Sequence, residues 1–226
     1  MKMVDFKLLL NAIGKFTAGL VLVGLMLFIP AGTMNYSNGW LFILLLFVPM
    51  FLLGGWLWIR NPELLEKRLN TKENETEQKK VVSLSLVFFI IGFIVSALDF
   101  RFQLTYLPLW VVIFGSVLLL VSYGLYAEVV RENTYLSRTV EVQENQKVID
   151  TGLYGIVRHP MYFATTLLFL SFPLVLGSGI GFVIFLVQPF LLVKRIRNEE
   201  EVLEKGLEGY TEYKKKVRYR LIPFIW

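Results

Sequence analysis

The sequence predicts an all-α, polytopic membrane protein with about six transmembrane helices, of which the last two form a helical hairpin followed by a cytoplasmic helical tail. Hydrophobic residues make up 55% of the 226 residues, whereas about 45–50% is usual in soluble domains. These residues are grouped in blocks that approach or exceed the roughly 18–20 residues needed to cross a bilayer. The Lys and Arg residues are also distributed unequally between the polar segments that connect the blocks, as is typical of membrane proteins.

The first two apolar segments are residues 16–34 and 39–59. The first follows a short start that contains lysines, which is also typical of a signal peptide, but no small-x-small cleavage site follows its long apolar run. We therefore interpret it as a membrane span. The second segment has tryptophans near both ends, where an aromatic belt is expected at the two membrane surfaces.

Four further apolar segments follow, at residues 81–98, 106–127, 157–176 and 180–193. The last two are separated only by the sequence Gly-Ser-Gly at 177–179. A glycine-rich break this short between two apolar runs predicts a tight turn. The fifth and sixth segments are therefore expected to form a helical hairpin.

The distribution of basic residues predicts the orientation of the chain. With the N-terminus inside, the inner segments hold 22 of the 23 Lys and Arg residues, and Arg101 alone lies outside. The positive-inside rule then predicts that both termini and the active site are cytoplasmic. The net charge of +5 reflects this topology, so we expect no nucleic-acid partner. The compact chain favours a prokaryotic plasma membrane as its location.

Two regions with different roles are predicted to meet near residue 130. Residues 1–130 contain four membrane spans. Residues 131–226 contain a cytoplasmic loop, the hairpin, the tail and every candidate site residue. Within the first region, residues 60–80 mix both charge signs in nearly equal number, which favours a solvated loop or a short surface helix.

Residues that usually hold metals are scarce. The chain has no cysteine and one histidine, so neither a disulfide nor a thiolate metal site is possible, and we expect no metal centre. The sequence also lacks the glycine-rich phosphate-binding motifs and the alternating strands and helices of soluble nucleotide-binding folds. Candidate functional residues are therefore the polar ones at the borders of the apolar segments.

The single histidine lies in the sequence Arg-His-Pro at the entrance to the fifth apolar segment. Pro160 suits the first turn of a helix, where its missing N–H costs nothing, and it keeps His159 out of the helical conformation. The start of a helix carries unpaired N–H groups and a partial positive charge, to which Arg158 adds a full charge. These features predict a site for an anionic group. The alternative is that Arg158 simply meets phospholipid headgroups.

A charged helix is predicted to continue past the sixth apolar segment. Arg195 and Glu199 are four residues apart and share one face of that helix. Glu199, Glu200 and Glu201 place three acids within one turn, which a solvated helix end would explain without any function. The hairpin, however, returns this acidic turn to the side where the Arg-His-Pro sequence enters the membrane.

Four short motifs follow one another in the C-terminal part of the chain. They are VIDTGLYGIVRHPMY before the hairpin, RIRNEEEVL after it, and then GYTEYKKKV and LIPFI. In this order they resemble the isoprenylcysteine carboxyl methyltransferase family and its phospholipid N-methyltransferase relatives, over residues 133–224. Members of that family are integral membrane enzymes that use S-adenosylmethionine.

The resemblance implies an S-adenosylmethionine-dependent methyltransferase that acts on a lipid-like or prenylated acceptor. Arg195 and Glu199 would be its catalytic residues, with Arg195 facing the polar head of the substrate. A carboxylate acceptor needs only a positive partner, whereas an amine must lose a proton, which a glutamate could accept. Carboxylate O-methylation and amine N-methylation therefore both stay open. The residues implied to bind the cofactor are Tyr154, Arg158, His159, Pro160, Tyr162, Glu199 and Glu200.

One departure and two alternatives accompany this interpretation. Animal members of the family use an arginine in the helix before the long loop, but LLLVSYGLYAEVV contains none and Arg131 comes later, which argues against a prenylcysteine substrate. Some membrane sterol reductases that bind NADPH have a similar C-terminal tail. A transporter or a non-catalytic scaffold is the further alternative, although transport is disfavoured by the near absence of charges within the apolar segments.

Overall fold

The computed structural model of the chain describes residues 6–70, 76–137, 139–140 and 142–226, and it is helical with no strand in these residues. The lysine-bearing start at residues 1–5 lies outside them, as do residues 71–75 of the predicted surface loop and residues 138 and 141 before the hairpin. The helices of the described residues are α1 (Phe6–Ala31), α2 (Ser37–Arg60), α3 (Pro62–Leu69), α4 (Thr76–Phe102), α5 (Leu109–Glu132), a 3-10 helix (Gly152–Gly155), α6 (Pro160–Leu176), α7 (Gly179–Phe185), α8 (Val187–Gly206) and α9 (Tyr210–Lys216).

The predicted polytopic helical fold is confirmed. The apolar helix α6 has 17 residues and is shorter than the helical stretches that could span a membrane. By length and composition, five helical stretches of the described residues are long enough to cross a membrane: Phe6–Ala31, Ser37–Arg60, Gln78–Phe102, Leu109–Glu132 and Gly179–Gly206.

The first helix is longer than the apolar segment predicted for it. α1 begins at Phe6, well before the predicted start at residue 16, because the intervening residues include Leu, Ala and Lys, which favour a helix. Lys15 donates a hydrogen bond of 2.6 Å from Nζ to the carbonyl oxygen of Leu69. This bond ties α1 to the end of α3.

A short surface helix forms at the start of the segment that the charge pattern predicts to be solvated. Asn61 caps α3 by accepting a hydrogen bond of 3.2 Å from the backbone N–H of Leu64, and Pro62 is its first residue. Leu64 and Leu65 are buried, so α3 lies against the bundle on its apolar face. The surface-helix interpretation is therefore confirmed for residues 62–69.

The hairpin is formed as its sequence predicts. α6 begins at Pro160, later than the predicted start at residue 157, because the residue before a proline avoids the helical conformation. Gly177 ends α6 in the left-handed region with φ of +76°, which glycine adopts without a steric penalty. The hydroxyl of Ser178 then accepts a hydrogen bond of 2.9 Å from the N–H of Gly181 and caps α7.

The returning arm of the hairpin has a local interruption at Leu186, between α7 and α8. Pro189 accounts for it, because its ring opposes the carbonyl group four residues earlier, on Phe185, and it has no N–H to donate. Beyond the interruption, α8 runs to Gly206, well past the predicted end of the apolar segment at residue 193. The charged residues that follow are therefore held on a regular helix.

Packing between α5 and α6 and an aromatic core hold the bundle together. A Cβ at Gly115 would lie 2.6 Å from the Cβ of Leu174, so the glycine permits the two helices to approach closely. In the core, the ring centroid of Phe172 lies 5.0 Å from that of Phe42 and 5.9 Å from that of Phe185. Both pairs are edge-to-face, an arrangement that aromatic rings favour.

A buried carboxylate fastens the turn of the hairpin to α4. Asp99 is 1% exposed and accepts hydrogen bonds from the backbone N–H of Thr105 at 2.7 Å and from the hydroxyl of Ser178 at 2.5 Å. It also accepts a bond of 2.5 Å from the Thr105 hydroxyl. We call this group the Asp99 cluster. It lies at the end of the bundle opposite to the polar segments at 60–70, 133–159 and 194–226, which together form the basic end.

Candidate active site

A cleft at the basic end of the bundle contains about 810 Å³ of space, part of it open to solvent. Its walls come from the loop at 133–149, the 3-10 helix, the start of α6, the charged part of α8, and α9.

Most of the predicted site residues lie on this cleft. Six of the eight line it: Tyr154, Arg158, His159, Tyr162, Arg195 and Glu199. The other two, Pro160 and Glu200, are not part of its lining. Pro160 is the buried first residue of α6. The carboxylate of Glu200 instead contacts basic side chains behind the wall of the cleft.

One tyrosine joins the two predicted catalytic residues. The hydroxyl of Tyr162 donates a hydrogen bond to the carboxylate of Glu199 and accepts one of 3.0 Å from Nε of Arg195. The shared partner confirms that Arg195 and Glu199 lie on one face of α8. We call this group the Arg195–Tyr162–Glu199 network. It places a positive, a neutral and a negative group side by side on the wall of the cleft.

Behind that wall, Glu200 is the centre of a buried ion cluster. Its carboxylate lies 2.7 Å from Nε of Arg158, 2.8 Å from Nε of Arg220 and 3.3 Å from Nε2 of His159. The side chains of Arg158 and Glu200 are 5% and 4% exposed. This proximity confirms that the hairpin brings the acidic turn to the Arg-His-Pro sequence. Glu199 is the member of this acidic pair that lines the cleft.

The guanidinium of Arg158 is also bound by the tail of the chain. It donates hydrogen bonds of 2.7 and 2.8 Å to the carbonyl oxygens of Val217 and Arg218. The backbone N–H groups of Arg158 and His159 donate bonds of 2.9 Å to the carbonyl oxygens of Tyr219 and Arg220. These backbone hydrogen bonds thus join the residues just before α6 to the residues after α9. In this arrangement Arg158 anchors the tail, and its predicted role in holding an anionic ligand stays a prediction.

Two hydroxyl groups hold the aromatic wall of the cleft. The hydroxyl of Tyr154 accepts a hydrogen bond of 2.9 Å from the Asn133 side chain. The hydroxyl of Tyr213 donates a bond of 2.7 Å to the carbonyl oxygen of Tyr154. Burial raises the pKa of both hydroxyls well above the usual value, so both stay neutral. The contacts connect the loop after α5, the 3-10 helix and α9.

Several lining residues are absent from the predicted set. Asn133, Tyr135 and Lys147 come from the loop after α5, and nothing in their spacing marks them as cleft residues. Tyr210 and Tyr213 come from α9. The Tyr-x-x-Tyr spacing is part of the motif GYTEYKKKV, so the sequence does carry a signal for these two, although not for their position.

The family model described as phospholipid methyltransferase matches residues 110–208. The match runs from α5 through the hairpin into the charged part of α8, and it includes all eight predicted site residues. It supports a membrane methyltransferase. It does not distinguish an isoprenylcysteine carboxyl methyltransferase from other members of that group.

Sterol reductases are similar to part of the chain. The Delta(14)-sterol reductase TM7SF2 of Mus musculus is 33% identical over 91 residues, which is 39% of this chain and 22% of that protein. The Delta(14)-sterol reductase of Methylotuvimicrobium alcaliphilum is 28% identical over 93 residues, or 40% of this chain and 22% of that protein. The chain therefore spans about a fifth of the length of the curated relatives it matches.

Proposed function

We propose that the chain is an integral membrane S-adenosylmethionine-dependent methyltransferase that acts on a lipid-like acceptor. The proposal rests on one observation. The region that matches the phospholipid methyltransferase family is the region that places the Arg195–Tyr162–Glu199 network on the wall of the cleft at the basic end of the bundle.

The side chains on the cleft fit the chemical groups of S-adenosylmethionine. Its ammonium group matches Glu199, and its carboxylate matches the positive charge of Arg195 or Lys147. Its sulfonium and adenine groups match aromatic rings, since a cation is attracted to the face of an aromatic ring. When bound, the cofactor supplies an electrophilic methyl group. Within the membrane methyltransferases, we propose that the chain belongs to the isoprenylcysteine carboxyl methyltransferase family.

The protein's part in methyl transfer is to position the acceptor and to exclude water. A nucleophile must be held within about 3–3.5 Å of the methyl group and in line with the bond that breaks. Arg195 offers a positive partner that orients a carboxylate acceptor. Glu199 offers a carboxylate that takes the proton from an amine acceptor. Tyr162 fixes the relative position of the two, so the same network suits O-methylation and N-methylation.

The position of the cleft suits a reaction between a soluble and a lipid-like molecule. Its walls include the start of α6 and the charged part of α8, which continue directly into the apolar hairpin, and also the polar loop and tail. We propose that the acceptor enters from the bilayer and that the cofactor enters from the polar side. By the distribution of Lys and Arg, this polar side faces the cytoplasm.

A sterol-type reductase that uses NADPH is the second candidate, favoured by the similarity to the two Delta(14)-sterol reductases. That ligand carries several phosphate charges and needs several basic partners. Of the basic side chains on the cleft, Arg158 is already bound to Glu200 and to two carbonyl oxygens. This makes the cleft better suited to a ligand with a single carboxylate.

Incubation of the purified protein with methyl-labelled S-adenosylmethionine and a total lipid extract tests the proposal. We expect label to appear in a lipid, and the Glu199→Gln variant to lose this activity. Glu201→Gln is the matched control, because Glu201 is exposed and is not part of the cleft lining. Binding of NADPH without binding of S-adenosylmethionine would instead identify a reductase. Binding of neither would point to a non-catalytic protein.

A further inference from the structure

The hydroxyl of Tyr210 stands out among the buried polar groups of the cleft. Tyr210 is the first residue of α9, is 4% exposed and lines the cleft. Within the described part of the chain, its hydroxyl oxygen is buried and has no hydrogen-bond partner. Burial, followed by the nearby carboxylates of Glu200 and Glu199, raises the pKa of this hydroxyl well above its usual value. It therefore remains a neutral O–H group, able to donate and to accept.

The neighbouring tyrosine shows the contrast. Tyr213 lies on the same short helix, with its ring centroid 5.8 Å from that of Tyr210, but its hydroxyl is bonded to the carbonyl oxygen of Tyr154. A buried hydroxyl without a partner destabilises a folded protein, and such groups are rare unless a ligand or a water molecule satisfies them. Tyr213 thus has a structural bond, whereas the bond of Tyr210 is left for a molecule in the cleft.

The surroundings of Tyr210 indicate the kind of molecule. Val148, Leu203 and Leu207 pack with Tyr210 in one apolar cluster, and all three line the cleft. We call this part of the cleft the apolar half. Tyr162 belongs to a different apolar cluster, and the Arg195–Tyr162–Glu199 network around it forms the ionic half. The cleft therefore offers apolar side chains and the Tyr210 hydroxyl at one side and charged groups at the other.

We propose that the apolar half is an adenine subsite and that the Tyr210 hydroxyl hydrogen-bonds the polar edge of the bound base. An adenine ring has apolar faces that pack on aliphatic and aromatic side chains, and an edge of nitrogen atoms that accept or donate hydrogen bonds. A charged group attached to the ribose then reaches the ionic half. The subsite rests on the proposed function only because it requires a ligand with an adenosine group. S-adenosylmethionine and NADPH both contain that group.

Binding to the purified protein tests the subsite, with S-adenosylhomocysteine, adenosine and NADPH as probes. In Tyr210→Phe, we expect the affinity for S-adenosylhomocysteine and for adenosine to fall by the same factor, about 5- to 30-fold, since one hydrogen bond to a buried group is lost. Glu199→Gln should weaken the binding of S-adenosylhomocysteine more than that of adenosine, because adenosine lacks the charged ammonium group that matches Glu199.

Thermal unfolding without ligand separates this role from a structural one. Tyr210→Phe removes a hydroxyl without a partner and should leave the melting temperature unchanged or raise it. Tyr213→Phe is the matched control, because it removes a hydroxyl bonded within the protein and should lower the melting temperature. If the two variants lose the same stability, Tyr210 has a structural partner and the subsite is wrong.

The remaining outcomes separate the subsite from the proposed function. Equal affinity of S-adenosylhomocysteine for the original protein and for Tyr210→Phe overturns the subsite and leaves the methyltransferase. Binding of adenosine and NADPH that depends on Tyr210, without binding of S-adenosylhomocysteine, supports the subsite and overturns the methyltransferase. Binding of none of the three probes overturns both.

Discussion

Replacing Glu200 by glutamine removes one charge from the buried ion cluster and keeps the size of the side chain. The carboxylate lies 2.7 Å from Arg158 and 2.8 Å from Arg220, so two guanidinium groups lose their negative partner. Removing one partner of a buried ion pair costs about 3–5 kcal/mol. In a chain of this length 1 kcal/mol shifts the melting temperature by roughly 2–4 °C, so we expect a fall on the order of 10 °C.

Two assays on the purified protein measure this loss. Thermal unfolding gives the melting temperature, and limited proteolysis reports release of the tail, because Glu200 links α8 to Arg220 beyond α9. Glu201→Gln is the matched control on the adjacent, exposed position, where substitutions usually change stability by less than about 0.5 kcal/mol.

The same experiment decides between two roles for Glu200. If the carboxylate mainly binds the cofactor, Glu200→Gln should fold as the original protein does and lose only ligand affinity. The geometry predicts the reverse, with stability lost even when no ligand is present. An unchanged melting temperature together with an unchanged proteolysis pattern would refute the structural role of Glu200 at the centre of the buried ion cluster.

Three further predictions concern single positions. Gly115→Ala should destabilise the protein by about 1–3 kcal/mol, since the new methyl group overpacks the α5–α6 contact. Gly124→Ala is the control on the same helix: its methyl group meets open space, so the melting temperature should stay unchanged or rise. Tyr162→Phe should lower the melting temperature and lower methyl transfer by about 10- to 100-fold, because it removes hydrogen bonds to two charged groups and such bonds contribute about 1.5–3 kcal/mol; an unchanged rate would contradict a role for the network. Asp99→Ala should lower the melting temperature, since it leaves the buried Ser178 hydroxyl without its partner at a cost of about 1–3 kcal/mol; equal melting temperatures would show that the Asp99 cluster does not stabilise the turn.

Features encoded locally are the ones that the sequence predicts well. The apolar segments are visible because a bilayer requires long uninterrupted hydrophobic runs. The hairpin is visible because Gly-Ser-Gly interrupts such a run at 177–179. The shared face of Arg195 and Glu199 follows from helical spacing alone, since residues four apart are neighbours on a helix.

Contacts that depend on how distant segments dock cannot be predicted from local spacing in the sequence. Glu199 and Glu200 are adjacent, and the helical repeat of 3.6 residues turns them about 100° apart. The sequence shows that they point in different directions. It does not show that Glu200 faces Arg220, because that contact depends on where the tail lies. Tyr210 reaches the cleft for the same reason, through the docking of α9.

The position of the Asp99 cluster has a consequence for how the hairpin can move. Its hydrogen bonds hold the turn, while the cleft lies at the far ends of the two arms. The arm formed by α6 has 17 residues, which at 1.5 Å per residue is about 25 Å of helix. A small tilt of the arms about the fastened turn would therefore produce its largest displacement at the cleft, where the proposed lipid-like acceptor would enter.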